Sequence, residues 1–282
     1  MADPKPGARQ KRAGAEPGEE GLGRSMTIGE PLEELRVCVR NAVIAFVGAL
    51  ALCLIFQDWL TERVAVWPYQ HARELLAAEG RDPGPLQAIE VTEKFFFYFR
   101  VAMYAAFVLS APFILAQVWR FVGAGLYPAE RRAVMRVLPV SIVLFMLGVA
   151  FGFVIVVPTA LAFLLDYGDP TMFASGLRAD AYNGFFLFMC LILGGVFELP
   201  LLQAVLAKFD LVSPRTMASK RRAFIIGATV ASAVLTPTGD AITMSLVALP
   251  IVVLYEVGIL VAKRVAPKDD VAVVAKSAGD AS

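Results

Sequence analysis

The chain has 282 residues, of which 58% are hydrophobic and 18% charged, and its mean hydropathy is +0.66. This composition is too apolar for an ordinary soluble domain and indicates a membrane protein. The net charge of +1 argues against nucleic acid as a partner, and the three cysteines and single histidine lack the spacing of a metal or redox site.

The first 25 residues are rich in glycine, proline and charge and contain no apolar stretch. They predict a disordered basic arm and exclude a signal peptide or a span there. Met26 follows directly and is a candidate functional start. A short amphipathic helix then lies on or enters the membrane surface, because Pro31 suits a first turn and Leu32, Leu35 and Val39 share one face.

Six apolar segments follow, and they predict an all-α polytopic protein with six transmembrane helices. The segments are residues 41–59, 101–119, 137–165, 185–206, 223–235 and 241–262. The fifth is well short of the ~20 residues that cross a bilayer as a helix. The sixth contains Pro250 and Glu256, so its fully apolar part is short too. We therefore expect a short final hairpin, and a bend at Pro158 in the long third segment.

Lysine and arginine counts orient these helices. Twenty of the 26 basic residues lie in four segments that alternate with the other connections along the chain. The excess of positive charge predicts that these segments, which include both termini, are cytoplasmic. We therefore divide the chain into the basic arm (1–25), a six-helix membrane domain (26–264) and a disordered cytoplasmic tail (265–282).

The cytoplasmic stretch 119–136 holds four arginines and a single acid, Glu130. Pro128 and Glu130 both suit the first turn of a helix, where an acid meets the positive end of the helix dipole. Alternatively, Glu130 is an acidic point in a basic rim that receives a cationic ligand. The residues of this stretch alone favour the helix start.

Glu198 lies near the middle of the fourth apolar segment, where a carboxylate costs about 2.5–3.5 kcal/mol on insertion scales. It either satisfies the backbone that Pro200 interrupts, or it lines a groove where it takes up and releases a proton. The second alternative would suit an ion-coupled small-solute transporter, although we find no internal repeat. In the third segment, Gly148 and Gly152 form a small-xxx-small pair that predicts close helix packing.

The sequence also lacks a phosphate-binding loop, a zinc motif and a nucleophile with a histidine partner. We therefore expect no enzyme activity and no cofactor or metal. Transport work must then be driven by an ion gradient or by a partner protein, unless the chain is a membrane scaffold without a ligand.

One run of residues lies around the first cytoplasmic loop: residues 110–122, SAPFILAQVWRFV, followed by Leu126-Tyr127 and Glu130-Arg131-Arg132. Further motifs are Glu34-Leu35-Arg36, Phe197-Glu198-Leu199-Pro200, Lys220-Arg221-Arg222, Thr236-Pro237 with Asp240, Pro250, and Glu256-Val257-Gly258. Together they resemble the signature of the TatC family of twin-arginine, or Sec-independent, protein translocases. The resemblance extends over residues 27–264.

The resemblance implies six helices around a concave, receptor-like face, with short fifth and sixth helices. It implies a multi-pass protein of the bacterial inner membrane that binds the paired-arginine signal peptides of folded precursors. The expected partners are membrane lipid, the single-span proteins TatA and TatB and further copies of the chain, with the proton-motive force as energy source.

The resemblance also assigns residues to these functions. Signal-peptide binding falls on Glu34, Arg36, Phe121 and Glu130, the intramembrane polar site on Glu198, and contact with the single-span partners on Thr236, Pro237, Asp240 and Thr243. Three features depart from the family pattern. Pro31 replaces a common histidine, the turn after Thr236-Pro237 is one residue longer, and Met244 replaces a glutamine, so that Thr243 or Ser245 would have to substitute for it.

Overall fold

The structure, a computed structural model, describes residues 29–78, 84–124, 128–166, 177–236 and 240–266. For residues 29–32 and 128–134 it describes the backbone alone. The predicted basic arm and nearly all of the predicted tail lie outside these ranges.

The described residues fold as a succession of α-helices. These are α1 (Gly29–Ile55), α2 (Gln57–Leu60), α3 (Trp67–Ala77), α4 (Val91–Ala124), α5 (Pro128–Phe151), α6 (Val157–Asp166), α7 (Ala179–Val196), α8 (Leu199–Lys208), α9 (Pro214–Ser219), α10 (Arg221–Leu235) and α11 (Ala241–Val265). Two single π-helical turns, Thr61–Ala65 and Gly152–Val156, continue α2 and α5. The prediction of an all-α membrane protein is therefore confirmed.

Five stretches of these helices are long and apolar enough to cross a membrane. They are Glu33–Ile55, Val91–Ala124, Met135–Asp166, Ala179–Lys208 and Ala241–Val265. The sixth predicted crossing is α10, whose 15 residues extend only about 22 Å. That length falls short of a hydrocarbon core of about 30 Å, in agreement with the prediction of a short fifth helix.

Helix α11 is longer than the apolar segment that predicts it. It has 25 residues and continues through Glu256 to Lys263 and Arg264 in its last turn. Glu256 is compatible with a continuous helix, because glutamate is a good helix former. Arg221 at the start of α10 pairs with its carboxylate at 2.9 Å. Basic residues at a helix carboxyl end also favour the helix dipole. Only the apolar portion of α11 is therefore short, whereas the whole helix is about 37 Å long.

Two prolines interrupt the long helices. Pro158 cannot donate a hydrogen bond to the carbonyl of Val154, and Val154 lies in the π-helical turn that separates α5 from α6. At Pro200 the break is complete, since α7 ends at Val196 and α8 begins at Leu199. Glu198 is one of the two residues between these helices.

Helix α7 lies at the centre of the bundle, and ten of its 18 residues are buried. Tyr182, Met189 and Leu193 on this helix are fully buried. Helix α5 approaches it very closely at two glycines. A Cβ atom built at Gly148 would lie 2.4 Å from the carbonyl oxygen of Leu193, and one at Gly152 would lie 3.1 Å from the Cα of Cys190. The predicted small-residue packing is therefore present between α5 and α7.

One buried carboxylate caps two helices at the end of the bundle where α4 and α7 begin. Glu93, in the first turn of α4, accepts hydrogen bonds from the backbone N–H groups of Ile89 at 2.7 Å and Glu90 at 3.3 Å. Its other oxygen accepts the N–H of Asp180 in the first turn of α7 at 2.9 Å. Acids at helix N-termini are favoured, because they satisfy free N–H groups and meet the positive end of the dipole. Arg100 on α4 also pairs with the Asp180 side chain.

Candidate functional site

Helices α1 and α4 pack antiparallel along their lengths. Phe46 meets Phe107 with ring centroids 6.4 Å apart, whereas Cys53, later on α1, clusters with Ala102 and Ala106, earlier on α4. Residue numbers therefore rise on one helix as they fall on the other. The beginning of α1 lies beside the end of α4.

This register brings two of the predicted signal-peptide residues to one end of the bundle. Glu34 lies twelve residues before Phe46, and Trp119 lies twelve residues after Phe107, so Glu34 is level with the turn that contains Trp119 and Phe121. Glu34 is partly exposed, and Phe121 is 37% exposed. Arg36 is exposed too, and its guanidinium lies 3.8 Å from the carboxylate of Glu33.

Glu130 lies in the first turn of α5, which begins at Pro128. The helix start predicted for this stretch is therefore confirmed. Only three residues separate the end of α4 at Ala124 from the start of α5, so the backbone of Glu130 is at the same end of the bundle. Its side chain is outside the part that the structure describes, and its role as a ligand stays a prediction.

Glu198 accepts a hydrogen bond from a side chain on α5, and that side chain accepts one from α4. The hydroxyl of Ser141 on α5 lies 2.9 Å from both carboxylate oxygens of Glu198. The indole nitrogen of Trp119 on α4 donates to the Ser141 oxygen at 2.8 Å. An indole N–H can only donate, so the Ser141 oxygen accepts from Trp119 and its own proton is free for Glu198. We call these three residues the Trp119–Ser141–Glu198 relay.

The relay connects α4 and α5 to the break between α7 and α8. Ser141 is fully buried and Trp119 is 5% exposed, whereas Glu198 is half-buried and keeps one side towards the surroundings. Trp119 is two residues from Phe121 on the same helix. Sequence reasoning found Glu198 but missed the polar roles of Ser141 and Trp119. The available signal was a hydroxyl in an otherwise apolar run.

The described residues among the predicted partner contacts make hydrogen bonds within the hairpin of α10 and α11. Thr236 is buried, and its hydroxyl donates to the Ser232 carbonyl at 2.8 Å. Asp240 caps α11, accepting the N–H of Thr243 at 2.6 Å, and Thr243 is fully buried. Pro237 is outside the described residues. A partner would therefore meet exposed neighbours of these residues first, among them Ser245.

Helix α10 packs against α11 at its basic N-terminal end and is largely exposed along the rest of its length. Phe224 stacks on Tyr255 of α11 with centroids 3.6 Å apart, next to the Arg221–Glu256 ion pair. Beyond this point only Ala228 and Ser232 of α10 are buried. The rest of the short helix presents apolar surface to the surroundings.

Comparisons with known proteins agree with these features. Residues 30–250 match the family model of the Sec-independent protein translocase protein TatC. A TatC of Carboxydothermus hydrogenoformans is 33% identical, over 87% of this chain and 96% of its own length. A TatC of Aquifex aeolicus is 34% identical, over 84% of this chain and 95% of its own length.

A relative from a plant and a solved structure extend the similarity. The chloroplastic TatC of Arabidopsis thaliana is 34% identical over 82% of this chain and 65% of its own length. A crystal structure described as the twin arginine translocase receptor TatC superposes with a TM-score of 0.72 at 33% identity, covering 83% of this chain and 99% of that one. These similarities do not favour the small-solute transporter. The chain belongs to the TatC family of Sec-independent protein translocase proteins.

Proposed function

We propose that this protein is the receptor of a twin-arginine export system and binds the paired arginines of signal peptides at its cytoplasmic face. It resides in the bacterial inner membrane with both termini in the cytoplasm, and it assembles with TatA, TatB and further copies of itself. The proton-motive force drives the export that follows. Family membership and the similarity to a solved TatC receptor support this proposal.

The observation that carries it is the register of α1 and α4. Glu34 and Phe121 share one level at the end of the bundle where the basic segments lie, and Glu130 follows in the first turn of α5. Two acids are thus carried on different helices near an exposed aromatic ring.

The chemistry of an arginine pair suits two separated acids. Neighbouring side chains of an extended peptide point to opposite sides, so two adjacent guanidinium groups lie roughly 7 Å or more apart. Each guanidinium offers a planar fork that a carboxylate matches with two parallel charge-assisted hydrogen bonds. An exposed ion pair contributes only about 0–1 kcal/mol, so discrimination requires partial desolvation, which Phe121 and the apolar headgroup region supply. The surrounding arginines repel cationic peptides that lack the fit.

Charge reversal tests this assignment. Glu130→Ala should weaken crosslinking of a twin-arginine peptide and slow export, and Glu130→Arg should abolish both while insertion and abundance stay normal. Glu34→Ala should weaken both as well. Glu62→Ala is the control, because Glu62 is an exposed acid in the π-helical turn beyond the other end of α1. Glu130→Arg protein that binds the peptide as tightly as the parent would refute the site.

The receptor function itself is tested by complementation. Expression of this chain in a bacterial strain lacking its own TatC should restore export of a folded twin-arginine reporter. A reporter whose arginine pair is replaced by lysines should be exported poorly, since lysine lacks the fork. Equal export of both reporters would contradict the proposal.

We assign the contact with the single-span partners to the open side of the α10–α11 hairpin. Thr236, Asp240 and Thr243 shape this hairpin, and Pro237 follows Thr236 in the sequence. The exposed Ser245 offers its hydroxyl oxygen as an acceptor to a partner helix within the membrane. Polar contacts of this kind are worth about 0.6–2 kcal/mol between membrane helices. Glu198 serves the same assembly from the broken fourth span.

A further inference from the structure

A partly open apolar cavity lies between α1 and the centre of the bundle, and none of the residues proposed for signal-peptide binding lines it. Its volume is about 480 Å³. Its lining includes Cys53 of α1, Val64 of the first π-helical turn, Tyr104 of α4, Met146 of α5 and Cys190 of α7. Charged side chains are absent from the described residues that line it.

A second hollow of about 420 Å³ continues this cavity towards one end of the bundle. The two share Cys53, Leu60 and Leu109 in their linings. The second hollow reaches Phe56 and Trp59, which are 54% and 59% exposed, directly beside the polar stretch that follows α1. Exposed tryptophan next to polar residues is typical of the membrane–water interface. The combined groove therefore runs from one interface to the middle of the membrane.

The size and chemistry of the groove select its occupant. An enclosed apolar cavity of about 150 Å³ binds one benzene, so by volume the inner cavity has room for roughly eighteen carbon atoms. A helical peptide with side chains is about 10–12 Å across and fills on the order of 400–600 Å³ per turn, so barely one turn would fit. A single flexible hydrocarbon chain fits both the volume and the narrow continuation to the interface.

We propose that the groove holds one acyl chain of a membrane phospholipid, whose headgroup stays at the level of Trp59. The acyl chain fills the gap between α1 and the α5–α7 pair. In the protein, α1 packs mainly against α4 and has little direct contact with α5 and α7. The bound lipid thus completes the packing of α1. This site does not involve Glu34, Glu130 or Glu198, so it is independent of the proposed receptor function.

Photolabelling tests the proposal with the full-length protein. The protein is placed in vesicles of palmitoyl-oleoyl phosphatidylcholine that contain a phosphatidylcholine with a diazirine on one acyl chain. After illumination, peptide mapping should find label on Met146 and Cys190 several-fold above that on Val43 and Val47, which face outwards on α1. Equal labelling of both groups would overturn the proposal.

A filling substitution provides the second measurement. Ala105→Phe should place a ring in the cavity and reduce the labelling of Met146 and Cys190 several-fold. Ala51→Phe adds the same ring at an exposed position of α1 and should leave the labelling unchanged. If Ala105→Phe protein is labelled like the parent, or if a photoreactive peptide labels the cavity and the lipid does not, the lipid assignment fails.

Discussion

The Trp119–Ser141–Glu198 relay shows how a carboxyl group is tolerated within a membrane span. A buried hydroxyl donates to it, and that hydroxyl is oriented by an indole on a third helix. A hydrogen bond to a charged group is worth about 1.5–3 kcal/mol, which is comparable to the insertion cost of an acid. The relay therefore offsets much of the cost of Glu198.

Ser141→Ala removes the donor to Glu198 and leaves the Trp119 N–H without its acceptor. The loss should cost about 1–3 kcal/mol of stability, because a buried donor is left unsatisfied. We expect a lower melting temperature in detergent and slower export of a twin-arginine reporter. Ser141→Thr should restore both, since it keeps the hydroxyl.

Ser219→Ala is the control for this substitution, because Ser219 is exposed and donates to the carbonyl of Thr216 at 2.9 Å within one short helical segment. It should leave the melting temperature of the protein unchanged. If Ser141→Ala matches the parent in both measurements, the relay has no part in stability or export.

Replacement of the carboxyl group itself separates its two interpretations. Glu198→Gln should fold and insert but export slowly or assemble abnormally, and Glu198→Leu should do no better. Export rates and the size of the assembled complex are the measurements. Full export by Glu198→Leu protein would show that the carboxyl group is merely tolerated.

The sequence was enough to find Glu198 but not its partners. A carboxylate in an apolar run has a high free energy of membrane insertion, so it marks a candidate functional residue. A serine in a span has a small insertion cost and gives no such indication. Ser141 lies 57 residues from Glu198 and 22 from Trp119 along the chain. No helical periodicity relates positions so far apart, so only the packing of α4, α5 and α8 could reveal the relay.

At the scale of elements, glycine sets the distance between α5 and α7. The spacing of Gly148 and Gly152 predicts close packing, and the partner helix became known only from the structure. Helix bounds were harder to predict than helix existence. Apolar runs mark where lipid surrounds a helix, but α4 and α11 continue into polar residues that water or ion pairs satisfy.

Gly148→Ala should push α5 away from α7, because the added Cβ would lie 2.4 Å from a backbone carbonyl oxygen that cannot turn aside. Overpacking of this kind typically costs about 1–3 kcal/mol. We expect a melting temperature several degrees lower in detergent. Gly195→Ala is the matched control, since nothing lies within 4 Å of its added Cβ. Equal melting temperatures for the two variants would contradict the packing.

At the scale of the whole molecule, the charge distribution predicts the orientation in the membrane. Cysteines introduced at Gly80 and Asp169 should react with a membrane-impermeant maleimide in intact cells, and one at Ala129 should not. The three native cysteines are buried and should add little background. Reaction at Ala129 without permeabilisation would reverse the orientation.

The hydrogen bonds that Glu93 accepts from two parts of the chain cannot all form at the same time while the protein is being synthesised. The carboxylate leaves the ribosome 87 residues before Asp180, whose N–H completes its set of donors. While the second and third spans are being inserted, the Glu93 carboxylate can accept hydrogen bonds only from the nearby N–H groups of Ile89 and Glu90. Its hydrogen bond from Asp180, which joins the starts of α4 and α7, forms once the fourth span has been synthesised. A nascent chain that ends before residue 180 should thus remain open at that end and accessible to proteases there.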